Sequence, residues 1–372
     1  MGRQAPARIV VKVGSGVVAP AGRLDPVAVA TIAREIAAAR DRGTRVVLVS
    51  SGAVAAGFRD LGLGAMPRSI REKQAAAAVG QPRLLAAYAD AMRAHELVPA
   101  QVLLTSDDFD HRQRFLNARH TLETLLEHGL VPIINENDSV AFDEIRLGDN
   151  DRLSALVASA IDADLLVLLS VAPGVVDKST GKVIPEITDT DAARAHIDVA
   201  TSDTGTGGMA TKLDAADIAI GHAVPVVIAP GRPADGADPL TPILDGQPVG
   251  TRFPVPPDAR GPAARKSWIA FSTQTRGAIV IDEGAARALR EKGASLLPKG
   301  VVGVEGRFDV GAPVEIRTEG GALVARGLAT YASHELERVK GKRSDEIESV
   351  LGYAYAPEAV HRDDMHVLGD PA

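Results

Sequence analysis

The stretch Leu130-Val131-Pro132-Ile133-Ile134-Asn135-Glu136-Asn137-Asp138 starts as an apolar, β-branched run and ends in a block of carboxylates and side-chain amides. A short apolar run without polar alternation reads as a strand buried on both faces, the kind found in parallel sheets covered by helices. A second polar block follows at Gly148-Asp149-Asn150-Asp151-Arg152. Asn and Asp also cap helices and form Asx turns, so either block alone reads more simply as a cap. Together they hold more fixed donors and acceptors than a turn requires, and they suit a small charged substrate.

Working outward, further strand-like runs lie at Ile9 to Val13, Arg45 to Ser50, Val98 to Leu104, Asp164 to Ser170 and Pro225 to Ala229, with Ala-rich amphipathic stretches between most of them. This alternation predicts an α/β fold, a mostly parallel sheet sandwiched by helices. The first helix has Asp25 as N-cap, Pro26 in the first turn and Gly43 as its stop. From Gly231 to about Lys266 the chain becomes rich in Pro, Gly and Asp, and short strand-like runs follow at Ile279 to Ile281, Val301 to Val304, Val314 to Ile316 and Leu323 to Leu328 around a helix at Ala285 to Lys292. The expected organisation is a first domain over 1–235, a linker over 236–266 and a small β-rich domain over 267–360.

Composition limits the function classes. The 372 residues allow about two domains, and the hydrophobic fraction of 45% with 24% charged residues is that of a globular chain. A net charge of −7 argues against a general nucleic-acid footprint, and the absence of Cys excludes a disulfide framework, a thiolate metal site and a cysteine nucleophile. With a β-type run starting near Arg8, no signal-peptide core is expected, and no apolar run is long enough to cross a membrane. A cytoplasmic protein is the expectation.

Several loops bear chemistry. Lys12 ends a strand and precedes Gly14-Ser15-Gly16, where close backbone approach beside an ammonium suits a phosphate. Gly14 to Ala19 also fits G-x-G-x-x-G/A, but Pro20, Gly22 and the Asp25-Pro26 start delay the helix that a dinucleotide fingerprint needs, and no P-loop is present. Ser50-Ser51-Gly52 opens a helix after the second strand, which favours anions. Gly205-Thr206-Gly207-Gly208-Met209-Ala210-Thr211-Lys212 opens another and supplies a second lysine beside a glycine loop.

With these segments in place the chain resembles the glutamate 5-kinase family of the amino acid kinase fold. The matching text is Val11 to Gly16, Ser50 to Gly57, Ile133 to Glu144, Gly148 to Leu156 and Gly205 to Leu213; the C-terminal part is similar to that family's PUA domain through Ala294 to Val301, Ala325 to Leu328 and Ser344 to Ile347. The resemblance implies transfer of a phosphoryl group from Mg-ATP to the side-chain carboxylate of L-glutamate, with Mg²⁺ accompanying ATP, no metal site of the protein's own, and proline as feedback inhibitor. It implies Lys12, Lys212 and Asp151 as catalytic residues. Ser51, Gly52, Asn135, Asp138 and Asn150 are implied for the substrate, and Lys12, Gly14, Ser170, Val171 and Thr206 to Lys212 for the nucleotide. A homo-oligomer and hand-off of product to glutamyl phosphate reductase are further implications.

Two alternatives bear on these expectations. Another amino acid kinase would share the fold and lysines, but the Asn-Glu-Asn-Asp run and the PUA-like domain point to glutamate. PUA domains elsewhere bind RNA, and Arg338, Lys340, Lys342 and Arg343 form a short basic cluster, which reads as a solvated turn beside acidic neighbours. One departure stands out: where the family has an Asp after the strand ending at Ser170, this chain has Val171, followed by Ala172-Pro173. Nucleotide contacts from this loop are expected to differ.

Overall fold

The structure, a computed structural model, describes residues 6–110, 112–140, 149–196, 208–256, 275, 277–354 and 356–368. The chain divides into two compact units, one of Met1–Asp107 with Asn117–Pro257 and one of Asp258–Ala372 with Asp108–Leu116. The first carries a sheet of seven strands: β1 (Arg8–Val13), β2 (Arg45–Ser50), β3 (Pro99–Leu104), β4 (Val131–Glu136), β5 (Leu165–Ser170), β6 (Val226–Pro230) and β7 (Thr251–Phe253). Their order is β3-β4-β2-β1-β5-β6-β7, parallel throughout except for β7 on β6.

The six expected strands are all present, with ends displaced by at most one residue. Every residue of β4 and β5 is buried, which is why their runs are apolar without alternation. Parallel neighbours need crossover connections, supplied by helices such as Pro26–Asp41, Ile70–Arg93, Asp149–Ala160 and Met209–Gly221. The first of these starts as expected: Asp25 Oδ1 accepts the Val27 N–H at 2.9 Å, and Gly43 takes the left-handed conformation at φ +83° beyond its end.

The expected linker over 236–266 differs from the structure in its described part. Thr241–Leu244 forms a helical turn, β7 pairs antiparallel with β6, and Phe253 and Val255 are buried. Buried Glu35 fastens this segment by accepting the Leu240 and Thr241 N–H groups at 3.1 and 2.8 Å. A three-residue edge strand among prolines and glycines has too little pattern to read.

The second unit is a five-stranded sheet of β8 (Gly277–Ile281), β9 (Val301–Gly306), β10 (Pro313–Thr318), β11 (Leu323–Leu328) and β12 (Met365–Val367), in the order β12-β11-β10-β8-β9. Only β8 and β10 pair in parallel. Residues of β10 alternate between buried and half-buried, the signature of a sheet with one face on the core. That core gathers Ile279, Ile316, Val324, Tyr331 and Leu336. Because β12 belongs to this sheet, the unit extends past residue 360, where the sequence reading ended it.

Helix Ala53–Gly57, directly after β2, packs on the Ile70–Arg93 helix through glycines. A Cβ at Gly80 would lie 1.8 Å from the Ala53 carbonyl oxygen, and one at Gly57 2.0 Å from that of Ala76. Backbone meets backbone here, so no side chain can yield. Gly80→Ala is expected to cost about 3 kcal/mol or more in urea unfolding, whereas Gly64→Ala, with nothing near its Cβ, stays within about 0.5 kcal/mol.

Candidate functional site

Parallel strands bring their C-terminal ends to one edge of the sheet, and Lys12, Ser50, Asn135 and Ser170 all lie there. β1 is the centre of this edge, with Val13 opposite Ser50 on one side and Leu169 on the other. β2 and β4 pair only through Leu48 with Ile133 and Val49 with Ile134, so they part before Ser50 and Asn135. The resulting crevice is where open α/β sheets take ligands.

Asp151 stands at its base, on the first turn of helix Asp149–Ala160, fully buried. Its Oδ1 accepts from Lys12 Nζ at 2.5 Å; its Oδ2 lies 3.2 Å from Lys212 Nζ and 2.7 Å from Thr211 Oγ1. Each lysine is only 5% exposed, so two ammonium groups from opposite ends of the domain are held away from water by one carboxylate. Burial opposes ionisation of Asp151, yet the charges of Lys12 and Lys212, with hydrogen bonds from Lys12 and Thr211, hold its carboxyl below the ordinary 3.8. Burial, with Lys12 as a like-charged neighbour, pulls Lys212 below its ordinary 10.5 despite Asp151. The cluster therefore carries a net positive charge in a dry place, a receptor for an anion.

Beside it Asn150 Nδ2 donates to Ser51 Oγ at 3.0 Å and to Asn135 Oδ1 at 2.8 Å. Asn135 Oδ1 also accepts the Glu136 N–H at 2.9 Å. With both amide hydrogens of Asn150 engaged, its Oδ1 is the free end, and among the described residues it is buried without a hydrogen-bond partner. Asp138, half-buried, lies in the turn beyond β4. Ser51 and Gly52 follow β2 directly, Gly52 at φ +116°.

On the other flank, the Gly14 N–H bridges to Leu169 O at 3.1 Å, so this glycine contributes close approach rather than a donor; a Cβ there would lie 3.9 Å from Lys12 Nζ. Ser170 is buried and Val171 is 65% exposed; Val171 covers the glycine turn so closely that a Cβ on Gly16 would come within 2.8 Å of its Cγ1. Gly208 caps helix Met209–Gly221, whose first turn carries Ala210, Thr211 and Lys212. Thr206 and Gly207 lie outside the described residues, as do residues 141–148 of the motif after Asp138. In the sequence Ser50 stands out only as the start of the Ser-Ser-Gly motif, and Tyr88 and Gln81 do not stand out. Ser50 Oγ and Tyr88 OH are 2.9 Å apart, and Gln81 Nε2 donates to Glu136 O at 3.3 Å. Tyr88 and Gln81 sit on a long helix whose pattern reads as plain core.

Fold and site together define an enzyme class. Residues 7–230 match the model of the amino acid kinase family and 277–351 that of the PUA domain. The chain is 48% identical to the glutamate 5-kinase of Syntrophotalea carbinolica over 97% of each chain. It is also 48% identical to that of Thermus thermophilus, covering 96% of each, and 46% to that of Geobacter sulfurreducens, covering 97% of each. The chain belongs to the glutamate 5-kinase family of amino acid kinases.

Removing Asp151 strands two buried ammonium groups. Asp151→Ala is expected to lose about 3–5 kcal/mol of stability at neutral pH. Because its folded pKa is depressed, the stabilisation by Asp151 is complete above 3.8 and is lost only as pH falls below it. Urea titrations at pH 7 showing a loss under about 1 kcal/mol would mean that the lysines are not held as charges against it.

Proposed function

We propose that the protein transfers the γ-phosphoryl group of ATP to the side-chain carboxylate of L-glutamate, giving γ-glutamyl phosphate and ADP, the first step of proline synthesis. The observation that carries this reading is the pair of buried lysines held on Asp151 at the C-terminal edge of the sheet. A carboxylate nucleophile is already ionised at neutral pH, so no general base is required. The difficulty is bringing two anions together in line while charge shifts onto the leaving ADP. Fixed positive charge in a dry crevice lowers that barrier.

Lys12 and Lys212 are assigned to the phosphoryl oxygens, and Asp151 holds both in place. Ser51 and Gly52 face the acceptor carboxylate. Asn135, Asp138 and Asn150 take the amino-acid head; the free, buried Oδ1 of Asn150 is an acceptor suited to an ammonium. Gly14, Ser170, Val171 and the segment from Thr206 to Lys212 line the nucleotide. Both oxygens of Asp151 are engaged by protein groups, so Mg²⁺ fits as the counter-ion of the nucleotide phosphates, where it neutralises charge when bound.

Proline, a cyclised relative of glutamate, is assigned as an inhibitor overlapping the head-group contacts. The acyl phosphate product is labile, and its consumption is assigned to glutamyl phosphate reductase. A homo-oligomer is carried as the working state. RNA recognition by the PUA domain has less support: in its basic cluster Arg338 donates to Val350 O, Lys340 pairs with Glu337, and Arg343 Nε lies 3.2 Å from Asp345.

The direct test is hydroxylamine trapping of the acyl phosphate with Mg-ATP and, separately, L-glutamate, L-aspartate, N-acetyl-L-glutamate or no acid. Hydroxamate with glutamate alone is the expected result; another acid reacting in its place would overturn the substrate assignment. Lys12→Ala or Lys212→Ala should lower kcat by ~10²-fold or more. Since Lys212 titrates below 10.5, kcat/KM is expected to fall on the alkaline side before an ordinary lysine would lose its proton. Bound phosphate anions favour the ammonium, so the corresponding limb of kcat moves to higher pH. Coincident limbs in the two profiles would count against Lys212 on the phosphates. Val171→Asp adds a carboxylate acceptor at the nucleotide flank and should change the ATP-to-GTP ratio of KM values by about twofold to tenfold, one hydrogen bond's worth. Unchanged values for both nucleotides would remove Val171 from the site.

A further inference from the structure

Ser50 and Tyr88 form a buried polar pair behind the crevice. Tyr88 lies on the Ile70–Arg93 helix within the main apolar cluster, and both residues are fully buried. Ser50 Oγ donates to the carbonyl oxygen of Ser51 at 3.0 Å and is 2.9 Å from Tyr88 OH. A serine hydroxyl has one hydrogen. With that hydrogen on Ser51 O, Tyr88 is the donor, and the relay runs from Tyr88 OH to Ser50 Oγ to Ser51 O. Burial raises the Tyr88 phenol above its ordinary 10.0, so the donor keeps its proton at any working pH.

The end of this relay is one half of the Ser51–Gly52 peptide. In a planar trans peptide the carbonyl and the N–H point in opposite directions. Drawing Ser51 O inward toward Ser50 therefore turns the Gly52 N–H outward, and among the described residues that N–H has no acceptor. Gly52 has φ +116° and ψ −4°, a conformation that L side chains rarely adopt. A glycine there lets the preceding peptide flip at little steric cost, so local sterics do not specify its direction. The Ser51 N–H is fixed separately, to Val13 O at 3.0 Å, which leaves the flip of the next peptide as the open variable. The Ser50 hydroxyl closes it.

We propose that Tyr88 is a positioning residue for phosphoryl transfer: through Ser50 it locks the Ser51–Gly52 peptide so that the Gly52 N–H faces the acceptor carboxylate. This rests on the assignment of Gly52 to that carboxylate. Tyr88→Phe keeps the ring that fills the core and removes only the relay's first donor. Ser50→Ala removes the link itself, and Ser50→Thr retains it.

The test is hydroxamate formation from L-glutamate by the full-length protein, with KM for ATP and glutamate measured separately and thermal unfolding followed in parallel. Tyr88→Phe is expected to lower kcat/KM for glutamate about tenfold while the ATP KM stays within about twofold. Ser50→Ala should lose at least as much, the double variant no more than Ser50→Ala, since both act on one peptide, and Ser50→Thr should recover most of the loss. Glutamate kinetics equal to wild type in Tyr88→Phe or in Ser50→Ala overturn the proposal even if Tm falls. Parallel losses for ATP and glutamate, or additive losses in the double variant, overturn it too. A wild-type protein that forms no hydroxamate from glutamate defeats the functional reading first and this one with it, an outcome distinct from an active wild type beside an unaffected Tyr88→Phe.

Discussion

One buried carboxylate between two buried ammonium groups is the constraint on which the rest of this site depends. Asp151 joins the end of β1 to the first turns of two helices through Lys12, Lys212 and Thr211. Moving three charges out of water is expensive, and a pair alone often no more than breaks even. The third charge leaves the cluster positive rather than neutral. A balanced ion pair would be inert toward phosphate; this cluster retains attraction for an anion while Asp151 limits the repulsion between the lysines. In the same arrangement burial and a like-charged neighbour pull the Lys212 ammonium below its ordinary range, against the attraction of Asp151.

Most of the first sheet could be read from the chain because burial on both faces writes itself as an uninterrupted apolar run, as in β4 and β5. β7 could not: it is an edge strand of three residues whose partner is set by long-range pairing with β6 rather than by its own pattern. The small second sheet was legible in four strands and illegible in β12, which pairs with β11 only through Ala325, Arg326 and Gly327. Length and periodicity, the two signals that survive in a sequence, are both missing from such pieces.

The site divides along a similar line. Lys12, Asn150, Asp151 and Lys212 stand out in sequence because polar residues interrupt apolar runs beside glycines, and the fold brings them to one edge. Distances between them were not legible, since Lys12 and Lys212 are joined only by tertiary structure. Tyr88 was hidden for the opposite reason. On a helix, an aromatic at a core position looks like packing, and only its 2.9 Å contact with Ser50 distinguishes its hydroxyl from its ring. Gly14 shows the limit of motif reading: the glycine turn is real, but its own N–H is engaged by Leu169 and the steric freedom matters instead.

A carboxylate acceptor also changes what a kinase site has to contain. A hydroxyl acceptor must lose its proton during transfer, so a base has to stand beside it. In the proposed reaction glutamate's side chain arrives without that proton, and buried Asp151 is engaged by Lys12, Lys212 and Thr211 rather than placed to take one. In the proposed reaction the repulsion between acceptor and phosphoryl oxygens is the dominant obstacle, and the groups proposed to answer it have fixed direction: the ammoniums clamped by Asp151 and the Gly52 N–H. Direction matters more than number here, because a donor aimed a few tenths of an ångström away from the developing charge stabilises ground and transition states alike and accelerates nothing. On the proposed assignment, the buried pair of Tyr88 and Ser50 stands behind the groups that touch the reactants rather than among them.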